Sequence, residues 1–125
     1  MSVTLDTGAL IAVDRGDERL RALLDRVVAS GGSAFVPAGV VAQAWRSARQ
    51  VRLARILNAR GTQIVVLDGQ RARAVGLLCA ASGTHDVVDS SVALTAREQH
   101  TPVVTSDPTD LRRLDPSLVI FRVQG

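Results

Sequence analysis

Short apolar runs alternate along the chain with longer stretches whose apolar residues recur at helical spacing. The strand-type runs are Val3-Thr4-Leu5, Ala34-Phe35-Val36, Ile64-Val65-Val66-Leu67, Val103-Val104-Thr105 and Val119-Ile120-Phe121-Arg122. They are short and apolar on both sides, as strands covered by helices on each face are. Between them the spacing predicts helices over Gly8 to Val13, Asp17 to Ser30, Pro37 to Arg60 with a break near Ser47, Gly69 to Ser82, and Asp86 to Gln99. A further short turn of helix is expected after Asp107. Gly31-Gly32, Gly61 and Gly83 stand where three of these helices should end. Strands that alternate with helices imply right-handed crossovers and a parallel sheet, so the expected fold class is a three-layer α/β domain with a central parallel β-sheet flanked by helices.

In such a sheet ligands bind beyond the carboxyl ends of the strands, and acidic residues fall there. Asp6 follows the first strand directly, and Asp107 follows Val103-Val104-Thr105 after one serine. Asp86 and Asp89 open the helix leading into that strand, and Asp110 lies three residues beyond Asp107. Convergence of these carboxylates would raise the pKa of some of them unless a cation neutralised the group. Oxygen donors suit magnesium or manganese, and no His or Cys cluster competes for zinc. Each acid also has a plainer use. Asp86 can cap its helix, and Ser106-Asp107-Pro108 is a common helix start. Asp89 is harder to explain as a cap, and Asp6 lies between apolar segments where an unpartnered carboxylate is costly.

Composition narrows the chemistry. With 125 residues, 46% of them hydrophobic and 22% charged, the chain reads as one globular domain over residues 1–125. All 15 cations are arginine, so neither a P-loop lysine nor the lysine of a phosphorylation receiver domain can be supplied. Trp45, Phe35 and Phe121 are the only aromatics, too few for a base-stacking platform on single-stranded nucleic acid. Cys79 is alone, which excludes an internal disulfide or a cysteine zinc site and reads as a buried core thiol. No apolar run reaches the roughly 18 residues of a membrane span, and Asp6 interrupts what a signal peptide would require. A cytoplasmic protein without a membrane role is expected.

The segments Val3-Thr4-Leu5-Asp6-Thr7-Gly8-Ala9-Leu10, Val36 to Arg46, and Asp89-Ser90-Ser91-Val92-Ala93 leading to Val103-Val104-Thr105-Ser106-Asp107 resemble the PIN-domain ribonucleases, in particular the VapC-type toxins of bacterial toxin–antitoxin pairs. The likeness runs in order along essentially the whole chain. It implies a PIN-like fold and a metal-dependent endoribonuclease that uses Mg²⁺ or Mn²⁺. It also implies a cognate VapB-type antitoxin and a homodimer. By resemblance, Asp6, Asp89 and Asp107 are the catalytic metal-holding acids, Asp110 is an additional acid, and Thr105 helps order the pocket. Asp86 is a further candidate ligand. Two positions depart from the family pattern. Gln43 stands where a glutamate is usual, and Gly8 where Ser or Asn is common.

Arg46, Arg49, Arg52, Arg55 and Arg60 concentrate positive charge, and Arg46 and Arg49 are the expected contacts to RNA or a partner. A solvated helix face is the plainer account. Asp6-Thr7-Gly8 also matches the signature of aspartic proteases, but a helical pattern follows it and the other aspartates would go unexplained. The rival reading from another class is a non-catalytic binding module for RNA or protein, which Gln43 favours. A DNA-directed nuclease is a third.

Overall fold

The computed structural model describes residues 1–124. In chain order the elements are β1 (Val3–Leu5), α1 (Thr7–Asp14), α2 (Glu18–Ala29), β2 (Ala34–Pro37), α3 (Ala38–Ala44), α4 (Val51–Leu57), β3 (Thr62–Val65), α5 (Gly69–Ser82), α6 (Val87–Gln99), β4 (Val103–Thr105), α7 (Pro108–Leu114) and β5 (Ile120–Arg122). The strands form one five-stranded sheet in the order β3-β2-β1-β4-β5. Every pairing is parallel. The chain therefore builds outward from β1 to β3, then returns to lay β4 and β5 on the other side of β1. The gap between the carboxyl ends of β1 and β4 is the point where strand order reverses, the place where α/β sheets bind ligands.

α1, α2 and α4 pack together on one side, and α5, α6 and α7 on the other. The three-layer α/β architecture expected from the alternation is therefore the architecture found. β1 and β4 are wholly buried, and the core they share with α1, α2 and α6 is aliphatic, built on Leu5, Leu10, Leu20, Val92 and Val103, with no aromatic side chain in it. Small residues let α6 lie close to the sheet: Ser90, Ala93 and Thr95 are fully buried. The hydroxyls among them are satisfied locally, for Thr95 donates to the Ser91 carbonyl at 2.8 Å and accepts from Arg71 at 2.6 Å. Cys79 is buried as expected, with Sγ 3.1 Å from the Ser90 hydroxyl.

Two expectations need correction. The apolar run Ile64 to Leu67 predicts the third strand, which instead spans Thr62–Val65. Its partner β2 ends at Pro37, which pairs with Val65, so the ladder runs out before Val66 and Leu67, and both are exposed. Apolar content places that strand two residues late; pairing register decides it. The expectation that every strand is covered on both faces also fails at the edges, since Gln63, Ile64 and Phe121 are exposed. The helix break near Ser47 is real: α3 ends at Ala44 and α4 begins at Val51. Gly83 closes α5 at φ 67°, a left-handed conformation that glycine adopts without steric cost. Among the described residues no helix is long and apolar enough to cross a membrane.

Candidate active site

Three helices start at the carboxyl edge of the sheet, each on an aspartate. Asp6 caps α1, its Oδ1 accepting the Ala9 N–H at 2.9 Å. Asp86 caps α6 by accepting the Asp89 N–H at 2.9 Å. Asp107 caps α7 by accepting the Thr109 N–H at 3.2 Å. The capping role that was the plain alternative for Asp86 and Asp107 is thus filled. It occupies Oδ1 of each side chain. Asp89 and Asp110 sit in the first turns of α6 and α7. For Asp6 and Asp107 local sequence accounts for the placement, because an Asp one or two residues past a strand and followed by a helical run falls at the N-cap, whereas Asp86 follows the turn after α5.

The acids feel one another. Burial pushes the Asp89 carboxyl up to about 7, and the neighbouring Asp86, Asp110 and Asp6 carboxylates add to the shift. Asp6 is only 8% exposed. Its pKa is raised by burial, opposed by hydrogen bonds from Thr105 and from the amides of Ala9 and Gly8, with the charge of Asp107 raising it further. The Thr105 hydroxyl accepts the Asp107 N–H at 3.0 Å and lies near enough to Asp6 to oppose the upward shift of its carboxyl. No arginine is paired with this group; the ion pairs among the described residues are Arg71–Glu98 and Arg97–Asp115.

A group of carboxylates in which Asp6 and Asp89 are pushed upward, with no ion pair to an arginine among the described residues, has the donor chemistry of a hard divalent cation site. The fit lies in donor type and placement. Among the described residues no three His, Cys, Asp or Glu side chains are already set around one ion.

A pH dependence follows from Asp89. Its folded pKa lies above its unfolded value, so the folded state binds more protons between about pH 4 and 7, and stability falls as pH rises through that window. Metal-free protein should therefore melt at lower temperature at pH 8 than at pH 5. Asp89→Asn should flatten the slope, and added Mn²⁺ should stabilise far more at pH 8 than at pH 5. Thermal melts across pH check this; a flat native profile would contradict it.

Gln43 is tied to the residue that follows Asp6, for the Thr7 hydroxyl donates to Gln43 Oε1 at 2.6 Å. The basic stretch lies in the bend between α3 and α4 and on α4 itself. The Arg46 guanidinium folds back to donate to the carbonyls of Ala42 at 2.9 Å and Trp45 at 3.0 Å, closing the C-terminus of α3. Arg49 is exposed. Sequence reasoning missed Gln50, which knits the bend between α3 and α4. Its Oε1 accepts from the Arg46 and Ser47 amides, and its Nε2 donates to the Ala44 carbonyl at 2.9 Å and, more weakly, to Asp14. The only cue was a break-prone segment that needed a polar side chain to satisfy loose backbone groups. A cleft of about 420 Å³ between α2 and α4, lined by Leu24, Val28, Arg52 and Ile56, is separate from the carboxylates.

A family model described as "PIN domain" matches residues 3–115. Among solved structures, the chain is similar to VapBC2 from Rickettsia felis bound to a DNA fragment from their promoter. The TM-score is 0.71 at 17% identity, covering 99% of this chain and 100% of that one. It is similar to FitAcB from Neisseria gonorrhoeae at TM-score 0.64 and 20% identity, covering 96% of each chain. A third similarity is to FitAB bound to a DNA fragment, at TM-score 0.63 and 21% identity, over 96% of this chain and 94% of that one. At these identities the likeness is one of fold. No curated protein matches by sequence.

Proposed function

The chain belongs to the PIN domain family, and on that premise we propose that it is a metal-dependent endoribonuclease, the VapC-type toxin of a toxin–antitoxin pair. The observation that carries this reading is the carboxylate group at the β1–β4 switch point, held without a cationic partner and with Asp89 pushed up to about 7. Asp6, Asp89 and Asp107 hold a Mg²⁺ or Mn²⁺ ion, with Asp86 and Asp110 as further acids. When bound, the ion supplies the charge that polarises the scissile phosphate and acidifies an attacking water. The Ala9 amide anchors Asp6 through Oδ1. Thr105 ties Asp107 to the same frame. Arg46 and Arg49 form a cationic rim for RNA or a partner protein. The chain acts as one PIN-like domain over residues 1–125, cytoplasmic, homodimeric, and inhibited by a VapB-type antitoxin. The toxin–antitoxin assignment is supported by fold similarity to VapBC2 and to the FitAB proteins.

The second reading, a non-catalytic module that grips RNA or a partner, is favoured by Gln43 and by the lack of a pre-set group of three ligands among the described residues. Restoring the acid separates the two. Gln43→Glu keeps an acceptor for Thr7 and adds a charge, so Mn²⁺ affinity measured by calorimetry should rise about tenfold and RNA cleavage should rise with it. Tighter metal binding with no cleavage in either protein would favour the non-catalytic module.

A further inference from the structure

We propose, resting on the ribonuclease reading above, that Ser106 is a substrate-contacting residue whose hydroxyl fills the space left by Gly8 and holds a phosphate oxygen of the RNA backbone. Gly8 lies in the first turn of α1. Glycine is disfavoured inside a helix, and Gly8 is not among the residues with positive φ, so its backbone does not require glycine. The reason is steric. A Cβ at position 8 would fall on Ser106 Oγ, within 3.1 Å of Ser106 Cβ and 3.2 Å of its backbone nitrogen. The missing side chain on α1 thus lets a hydroxyl from the β4–α7 junction lie against the helix.

That hydroxyl is well placed to meet a substrate. Ser106 stands between Thr105, whose hydroxyl accepts the Asp107 N–H, and Asp107 itself, the cap of α7. It is half-buried, and among the described residues its Oγ has no hydrogen-bond partner. Carboxylates and phosphate oxygens are both acceptors, so a phosphodiester entering this acidic edge needs a donor as well as a cation. Thr105 is wholly buried, whereas Ser106 is half-buried with an unpartnered hydroxyl that has a proton to give. Positions 8 and 106 are therefore coupled, because one space receives a side chain either from α1 or from the β4–α7 junction.

Cleavage of a labelled, randomised-sequence RNA oligonucleotide with Mn²⁺ tests this, with thermal melts run in parallel. Ser106→Ala should raise KM and lower kcat/KM about tenfold without lowering Tm. Gly8→Ala, whose methyl displaces the hydroxyl, should lose a similar factor. Gly8→Ser/Ser106→Gly, which returns a hydroxyl from the helix side, should recover kcat/KM to within about threefold of native. A native KM in Ser106→Ala, while Asp6→Asn abolishes cleavage, overturns this inference alone. A double variant no better than Ser106→Ala overturns the pairing. Cleavage that survives Asp6→Asn overturns the ribonuclease reading and this inference with it.

Discussion

Asp6→Asn should leave the protein folded and lower RNA cleavage by about 10²–10³-fold, the loss expected when a charge that anchors a metal-held transition state disappears. The substitution is close to isosteric and preserves the local geometry. Asn is as good an N-cap as Asp, so the hydrogen bond from the Ala9 amide can be kept. Removing a buried carboxylate also removes its desolvation cost, so the metal-free Asp6→Asn variant should melt no lower than the native protein. Asp6→Ala is the informative contrast. It loses the cap as well as the charge, and should cost about 1 kcal/mol in addition to the activity. Cleavage and thermal melting measured on the three proteins separate chemistry from folding. An Asp6→Asn variant that cleaves within tenfold of native would contradict the assignment.

The second large effect is on stability. Leu10→Ala should cost about 3 kcal/mol and lower Tm by about 10–15 °C. Leu10 is fully buried on α1 and belongs to a core that contains no aromatic side chain, so neighbouring leucines and valines have little reach to collapse into the cavity. Against a total stability of about 5–15 kcal/mol that is a large share. Because α1 begins at Asp6, loosening its buried face also loosens the anchored carboxylate. Urea unfolding checks the number; a loss below about 1 kcal/mol would mean the core repacks around the gap.

The layout was legible where pattern and local chemistry agree. β1, β2 and β4 are buried apolar runs, and α1, α2, α5 and α6 sit within a residue or so of their expected limits, because caps and glycines mark them. β3 was misplaced because an edge strand is defined by what its neighbour offers, and Pro37 ends the ladder while the apolar run continues. Asp6 and Asp107 could be read as neighbours once a parallel sheet was inferred, since both follow strands closely. The influence of Thr105 and of the Asp107 charge on Asp6 could not, because it depends on β1 and β4 lying side by side. Charge density singles out Arg46 as a contact to RNA or a partner, but not its local partners, which are carbonyls only one and four residues back, released by a helix that stops at Ala44. Gly8 is the instructive case. As sequence it was only a missing side chain; in the fold it is the room that Ser106 occupies.

If the acidic edge becomes a phosphodiester-cleaving centre when it holds a divalent ion, activity must follow the metal. The most direct measurement is RNA cleavage by the native protein in Mn²⁺, in Mg²⁺ and in excess chelator, with all other conditions matched. Cleavage is expected with Mn²⁺ or Mg²⁺ and none in chelator, with activity returning when metal is restored. Cleavage that persists in chelator, or that is absent with both metals, would contradict the metal-dependent ribonuclease reading.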